Sequence, residues 1–206
     1  MARPPKPLLS RRGIAQEALR LVEEEGVEAL TTRRLAKRLG VEGPSLYNHI
    51  ANRDDLLDEM TSLIDEYVEA TGFDHPDWRV GLAEFVRSYR RAFAVQPQLV
   101  AIIASRPVRS PVALGAYDKA FAAFEGFGWD AEFSASVMAA IDYLVLGSAI
   151  ETFKGGFDRP PAEYAEAFPH LAAALTATDG VNVDDLGFEL GLAALIAKVE
   201  AITTSG

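Results

Sequence analysis

The chain has 206 residues, 49% of them hydrophobic and none of them cysteine, and a formal charge of −10 at pH 7. That is enough apolar material for one generous domain, or a small module fused to a larger one, to form a core without covalent staples. The lack of cysteine excludes disulfide and thiolate chemistry and fits a reducing, cytoplasmic setting, and the net acidity argues against a general polyanion binder. The acidity is uneven, however. Residues 1–53 carry ten Lys/Arg against six Asp/Glu, and the remainder carries ten against twenty-four. A basic head that could meet nucleic acid precedes an acidic body that would not.

The opening MARPPKPLLSRRG has charge but no apolar run of signal length, so it is not expected to act as a secretory leader. Residues 1–9 read as a flexible arm whose Arg3 and Lys6 could touch a minor groove. Ile14, Ala18, Leu21 and Val22 then recur at helical spacing, and Gly26 is placed to stop that helix. Thr31 or Thr32 can cap a second helix with Leu35, Ala36 and Leu39 inward. Gly40 supplies the positive φ of a sharp exit, and Val41 tucks back into the core. Pro44 suits the first turn of a very short third helix anchored by Leu46 and Ile50. Asn52 reads as the cap of a fourth helix, expected over 53–70 and carrying Leu56, Leu57, Met60, Leu63, Ile64 and Tyr67.

After a break from Gly72 to Pro76, helices are predicted over 77–95, 97–105, 111–127, 130–153, 162–177 and 184–203. No strand pattern or internal repeat emerges. The expected fold is all-α, with a three-helix head at 1–53 and a helical body at 54–206. The most apolar stretch, SVMAAIDYLVLGSAIETF (136–153), contains Asp142 and is too short to span a bilayer, so it reads as a helix buried on more than one side. No membrane partner is expected.

Two helices joined by a tight Gly-containing turn, the second short and polar outside, form a helix-turn-helix. Once the apolar residues fix the angle between them, Ser45, Tyr47, Asn48 and His49 are left on a surface that can enter a major groove. Arg33 can reach a guanine edge or a phosphate, and Tyr47, His49 and Arg53 suit phosphate positioning. The same periodicity would also serve an ordinary helical hairpin with Tyr47 half-buried and its basic residues merely solvated.

The longer stretch ALTTRRLAKRLGVEGPSLYNHIANRDDLLDEM (29–60) separates these readings. Its Thr31-Thr32, Leu35-Ala36, Gly40-Val41, Ser45-Leu46-Tyr47-Asn48-His49, and Arg53 before Leu56-Leu57 closely resemble the DNA-binding domain of the TetR family of transcriptional regulators. YRRAF (89–93), SRP (105–107) and LVLGSAIETF (144–153) extend the resemblance more faintly into the body. It implies a homodimer that binds a double-stranded DNA operator and releases it on meeting a small-molecule inducer. DNA contacts would fall on Thr31, Thr32, Arg33, Gly43, Pro44, Ser45, Tyr47, Asn48, His49 and Arg53.

Alignment with the family puts the ligand candidates at Phe85, Tyr89, Ile102, Arg106, Tyr117, Phe121, Met138 and Asp142, although each aromatic reads equally well as core. Arg106 and Asp142 are the more informative pair, because charged groups are rarely fully buried without partners. Asp142 could pair with an internal Arg, face a wet cavity, hydrogen-bond a ligand, or lie at the surface. In the family's tetracycline-responsive members a His and an Asn serve the magnesium–drug chelate; here Ile102 and Phe85 stand in those places and cannot. No metal or cofactor is expected. Gly43 likewise stands where those members have a base-reading Gln, so the operator sequence should differ.

Helices 130–153 and 184–203 are rich in small residues, among them Ser134, Ala140, Gly147, Ser148, Gly187, Gly191 and Ala194. Their composition is compatible with the four-helix dimer interface of the family. The helix at 53–70 would be the lever between body and head, and the 97–111 segment, with Pro97, Pro107 and Pro111, the part that shifts. Two rival classes remain. An enzyme is disfavoured because His49, His75 and His170 are scattered and Gly126-Phe-Gly128 lacks the strand and third Gly of a dinucleotide site. A helical sensor or adaptor without DNA binding is the other.

Overall fold

The computed structural model describes residues 9–150, 153 and 156–204. The arm residues Arg3 and Lys6, and residues 151–152 of the helix predicted over 130–153, lie outside that set. Among the described residues the chain is helical, without strands. The head comprises α1 (Arg11–Glu25), α2 (Thr32–Leu39) and α3 (Gly43–Tyr47), followed by α4 (Arg53–Asp65). The body holds α5 (Trp78–Ala94), α6 (Pro97–Ala104), α7 (Pro111–Gly126), α8 (Ala131–Ala149), α9 (Pro161–Tyr164), α10 (Pro169–Ala177) and α11 (Val183–Thr203). No helix among the described residues is long and apolar enough to cross a membrane.

Local chemistry sets the head's element ends. Ser10 Oγ accepts from Gly13 N at 3.1 Å to open α1, and Gly26 at φ 82° closes it. Of the two threonines, Thr31 caps α2, its hydroxyl accepting from Arg34 N at 3.3 Å. Gly40 ends α2 in the left-handed region at φ 65°, ψ 35°, and Val41 N turns back to the Ala36 carbonyl at 3.0 Å. Asn52 Oδ1 accepts from Asp55 N at 2.9 Å to start α4.

Two expectations need correction. The fourth helix stops at Asp65 rather than reaching 70. Ser88 on α5 captures the chain beyond it, accepting from Glu69 N at 2.6 Å and donating to the Tyr67 carbonyl at 3.5 Å. Tyr67 therefore lies outside α4 and is 74% exposed. The helix expected over 162–177 is split into α9 and α10, because Pro169 has no N–H to donate and disfavours helical geometry at Phe168, which sits at φ −138°, ψ 64°.

Two apolar clusters organise the molecule. One gathers Ile14, Ala18, Leu21, Leu35, Leu46 and Ile50 of the head around Leu57, Met60 and Ile64 of α4, then continues into Phe93, Leu99, Val100 and Ala149. The head's core thus crosses residue 53 into α5, α6 and the end of α8. The other cluster packs α5 against α8 and α11 through Leu82, Phe85, Val86, Met138, Ile141, Val145, Phe188 and Leu192. Gly191 lets α11 approach Leu144, whose methyl would lie 2.7 Å from a Cβ placed there.

The link from α4 to α5 depends on two glycines meeting backbone to backbone. A Cβ on Gly81 would lie 2.2 Å from the Gly72 carbonyl oxygen, and one on Gly72 would lie 2.5 Å from that of Gly81. In an open helix Gly→Ala stabilises by about 1 kcal/mol. Gly81→Ala should instead destabilise this chain by about 1–3 kcal/mol, because rigid backbone must move. Urea denaturation checks the sign, and an unchanged or raised midpoint would contradict the packing.

Candidate DNA interface and ligand cavity

The basic run at 33–38 divides into two pairs with different tasks. Arg34 bonds Glu25 at 2.8 Å, and Arg38 bonds Glu17, Glu24 and Glu25 at 2.6, 2.7 and 3.4 Å. Those two guanidiniums tie α2 to the acidic end of α1, and their charge is largely neutralised there. Arg33 and Lys37, one helical turn apart, are exposed and form no ion pair among the described residues, and the same holds for Arg53. The free cations therefore flank α3.

Tyr47 is 58% exposed, not half-buried, and its hydroxyl lies 3.4 Å from Thr32 Oγ1. Pro44 and Asn48 are exposed beside it, Gly43, Ser45 and His49 are half-buried, and Leu46 beneath them is buried. Thr31, Thr32, Tyr47 and Arg53 rim a groove of about 430 Å³ floored by Leu35, Leu46 and Leu56. Arg11, which carried no signal in the sequence, fixes this surface from behind. Its Nη1 donates to the His49 carbonyl at 2.8 Å and to Asp55 Oδ2 at 3.0 Å, and its Nε donates to Glu59 at 3.2 Å. It pins the exit of α3 to both α1 and α4.

A cavity of about 170 Å³ lies between α4, α5, the α6–α7 connection, α7 and α8. Tyr89, Arg106, Tyr117 and Asp142 line it, as do Asp58, Asp65, Phe93 and Ile103. An adjoining apolar recess of about 30 Å³ adds Phe85, Met138 and Val68, sharing Asp65, Tyr89 and Tyr117 with the larger space. Six of the eight ligand candidates thus converge. Ile102 does not: its neighbour Ile103 lines the cavity, and both isoleucines pack against the head cluster. Phe121 sits one turn beyond Tyr117, 36% exposed, with its ring centroid 6.4 Å from the Tyr117 ring.

The electrostatics of the cavity are acidic. Tyr117 donates its hydroxyl to Asp142 Oδ2 at 2.9 Å, while Asp142 Oδ1 is buried without a partner. Burial raises the Asp142 carboxyl above the usual range, partly offset by the Tyr117 and Tyr89 hydroxyls. Burial likewise pushes the Tyr117 phenol up to about 12, so it remains a donor at neutral pH. Among the options open for Asp142, the structure selects the cavity wall. Asp65, unforeseen in the sequence, is 6% exposed, also has an unpartnered oxygen, and is pushed up to about 6 by burial, with a Ser110 hydrogen bond opposing the shift. The spacing of Asp58, Thr61 and Asp65 on one face of α4 was the available signal.

Arg106 connects this cavity to the head. Its Nη1 meets Asp54 Oδ1 at 2.5 Å, and its Nη2 meets the Asp54 carbonyl at 3.0 Å and Asp58 Oδ1 at 2.7 Å. Asp54 stands in the first turn of α4, so a residue of the cavity wall grips the helix that enters the head.

Residues 14–60 match the family model described as bacterial regulatory proteins, tetR family, and residues 73–203 match that of the tetracyclin repressor-like C-terminal domain. An HTH-type transcriptional regulator of Saccharopolyspora erythraea is 32% identical over 143 residues, covering 69% of this chain and 61% of the relative. The class A tetracycline repressor from transposon 1721 in Escherichia coli is 32% identical over 190 residues, covering 89% of this chain and 87% of that protein. The structure of the Streptomyces coelicolor TetR family protein ActR in complex with actinorhodin superposes with a TM-score of 0.77 at 29% identity, covering 95% of this chain and 97% of that one.

The Asp65 environment has a measurable consequence. Between 3.8 and about 6 the folded chain keeps a proton that the unfolded chain has lost, so stability falls as pH rises through that window. Asp65→Asn removes the ionisation while keeping the shape. It should raise unfolding free energy at neutral pH by roughly 2–3 kcal/mol, a gain that disappears below about pH 4. Thermal melts across pH test this, and a variant less stable than the parent at neutral pH would contradict it.

Proposed function

The chain belongs to the TetR family of bacterial regulatory proteins and is a ligand-responsive DNA-binding transcriptional regulator, and on that premise we propose a repressor that leaves a palindromic operator when a small, largely apolar molecule fills the cavity beside α4. Its setting is the cytoplasm. The family and its neighbours are regulators rather than enzymes, and members bind operators and small molecules and dimerise.

The bridge from Arg106 to Asp54 and Asp58 carries the proposal. Occupancy of the cavity changes the surroundings of Arg106 and Ile103, and Arg106 transmits the shift to the first turn of α4. The shared apolar cluster makes α4 and the head move together. Two heads must sit about 34–36 Å apart to enter successive major grooves. A ligand that favours another spacing weakens DNA binding by the same factor by which DNA weakens ligand binding.

Dimerisation through α8 and α11 supplies that pair of heads. Tyr143 on α8 and Leu186 and Leu190 on α11 are exposed large apolar groups on helices already packed against the body by their other sides. A second copy would cover them. The ligand is not expected to be magnesium–tetracycline, because Phe85 contributes a ring to the recess and Ile102 faces the head cluster.

Retention on genomic DNA fragments at low salt, followed by sequencing, should recover a two-fold symmetric site. Arg33→Ala should weaken binding to that site by about 1–3 kcal/mol if it reads a base. Tyr47→Phe should weaken all sequences alike through a lost phosphate contact. Both side chains are exposed, so the fold should survive. Binding unchanged by both substitutions would put the wrong face in the groove.

A further inference from the structure

We infer that the cavity is built for an organic cation, whose protonated amine sits between the carboxylates of Asp65 and Asp142 while its apolar body enters the recess of Phe85, Val68 and Met138. This rests on the reading of the cavity as the inducer site and specifies the chemistry of its occupant.

The observation is a pair of unmet acceptors. Asp65 Oδ2 and Asp142 Oδ1 are both buried without a hydrogen-bond partner, on side chains that line the same cavity from α4 and α8. Asp65 is 6% exposed, so bulk water does little for it. An unpaired buried carboxylate oxygen is costly, and two in one cavity repel each other as well when ionised. Among the described residues no cation pairs with either of them. Arg106 lines the same space, but its guanidinium is committed to Asp54 and Asp58, and Arg109 approaches Asp58 at 3.8 Å. The tyrosine donors already face Asp142, the Tyr117 hydroxyl bonding its Oδ2 at 2.9 Å and the Tyr89 hydroxyl also acting on that carboxyl, and neither carries a charge to balance it.

The remaining walls define what kind of cation fits. Tyr89, Tyr117 and Phe93 surround the space with aromatic rings, whose faces attract a cation with a bulky, weakly hydrated body. A hard metal ion would want six or more oxygen ligands. Among the described residues no group of three or more His, Asp or Glu side chains converges to hold one. An ammonium has directional N–H donors, and two of them can meet two carboxylates facing one space. The acidic body, with twenty-four Asp/Glu against ten Lys/Arg after residue 53, would draw such a ligand in.

Three compounds of one outline test this: 1-naphthylmethylamine as the cation, 1-naphthylmethanol as its neutral counterpart, and 1-naphthoate as the anion. Each is titrated calorimetrically into the full chain and into Asp65→Asn and Asp142→Asn, with thermal melts confirming that both variants are folded. The amine should bind once per chain, about tenfold or more tighter than the alcohol, with naphthoate weakest. Each Asn variant should lose about tenfold for the amine and leave the alcohol unchanged. No binding of the amine, an alcohol or naphthoate that binds as tightly, or an amine affinity indifferent to both substitutions would overturn the inference. Operator affinity measured beside each titration separates the two levels. Release by the alcohol with the Asn variants indifferent would sink the cation while leaving the ligand-released repressor intact. An amine bound through Asp65 and Asp142 that leaves operator affinity unchanged would do the reverse.

Discussion

Arg106 grips the first turn of α4 from within the wall of the cavity, and the path we propose from ligand to DNA runs through that grip. Its side chain is largely buried, at 16% exposure, and it meets both the carboxylate and the carbonyl of Asp54 as well as Asp58. Three acceptors converge on one planar guanidinium, so displacing any of them leaves N–H donors without their partners. The contact therefore favours discrete arrangements over gradual slackening. On the far side α4 shares one apolar cluster with α1, α2 and α3, so whatever displaces its first turn also displaces the recognition surface.

The two ends of this path are built on opposite principles. In the head, Arg34 and Arg38 are answered by glutamates of α1, and Arg11 satisfies the α3 exit together with Asp55 and Glu59. The head is thereby tied together while Arg33, Lys37 and Arg53 stay exposed and unpaired among the described residues, open to the DNA contacts we propose. In the body, Asp65 and Asp142 keep acceptors unmet around a space of about 170 Å³. On the proposed reading, stability is given up where a ligand is recognised and kept where geometry must hold.

The head was legible in the sequence because its determinants are local. A threonine cap, a glycine at positive φ, a proline in a first turn and an asparagine cap each act within four residues of themselves, and Thr31, Gly40, Pro44 and Asn52 all occupy the predicted elements. The body was legible in its helices but not in its chemistry. Whether Ile102 or Ile103 faces the cavity, and whether Phe121 follows Tyr117 into it, depends on helix rotation to within one residue, which an almost uniformly apolar pattern does not specify. The early end of α4 depends on Ser88, nineteen residues beyond Glu69. Asp65 shares a face of α4 with Asp58 and Thr61, but that spacing alone does not separate it from the other acids until the fold buries it. Only the break before Pro169 had a local cause that could have been read earlier.

Because the chain contains no cysteine, a single spin label per protomer can be placed without background. Glu23 is exposed on α1, in the rigid part of the head, so Glu23→Cys reports head-to-head separation across the dimer. Pulsed electron–electron distance measurement on this protein, with Arg106 intact and with Arg106→Gln, tests directly whether that one side chain sets the spacing. A narrow distribution that shifts or broadens on losing the guanidinium, in a variant that still melts cooperatively, is the predicted result. Superimposable distributions would contradict it, since head position would then be fixed without the grip on α4.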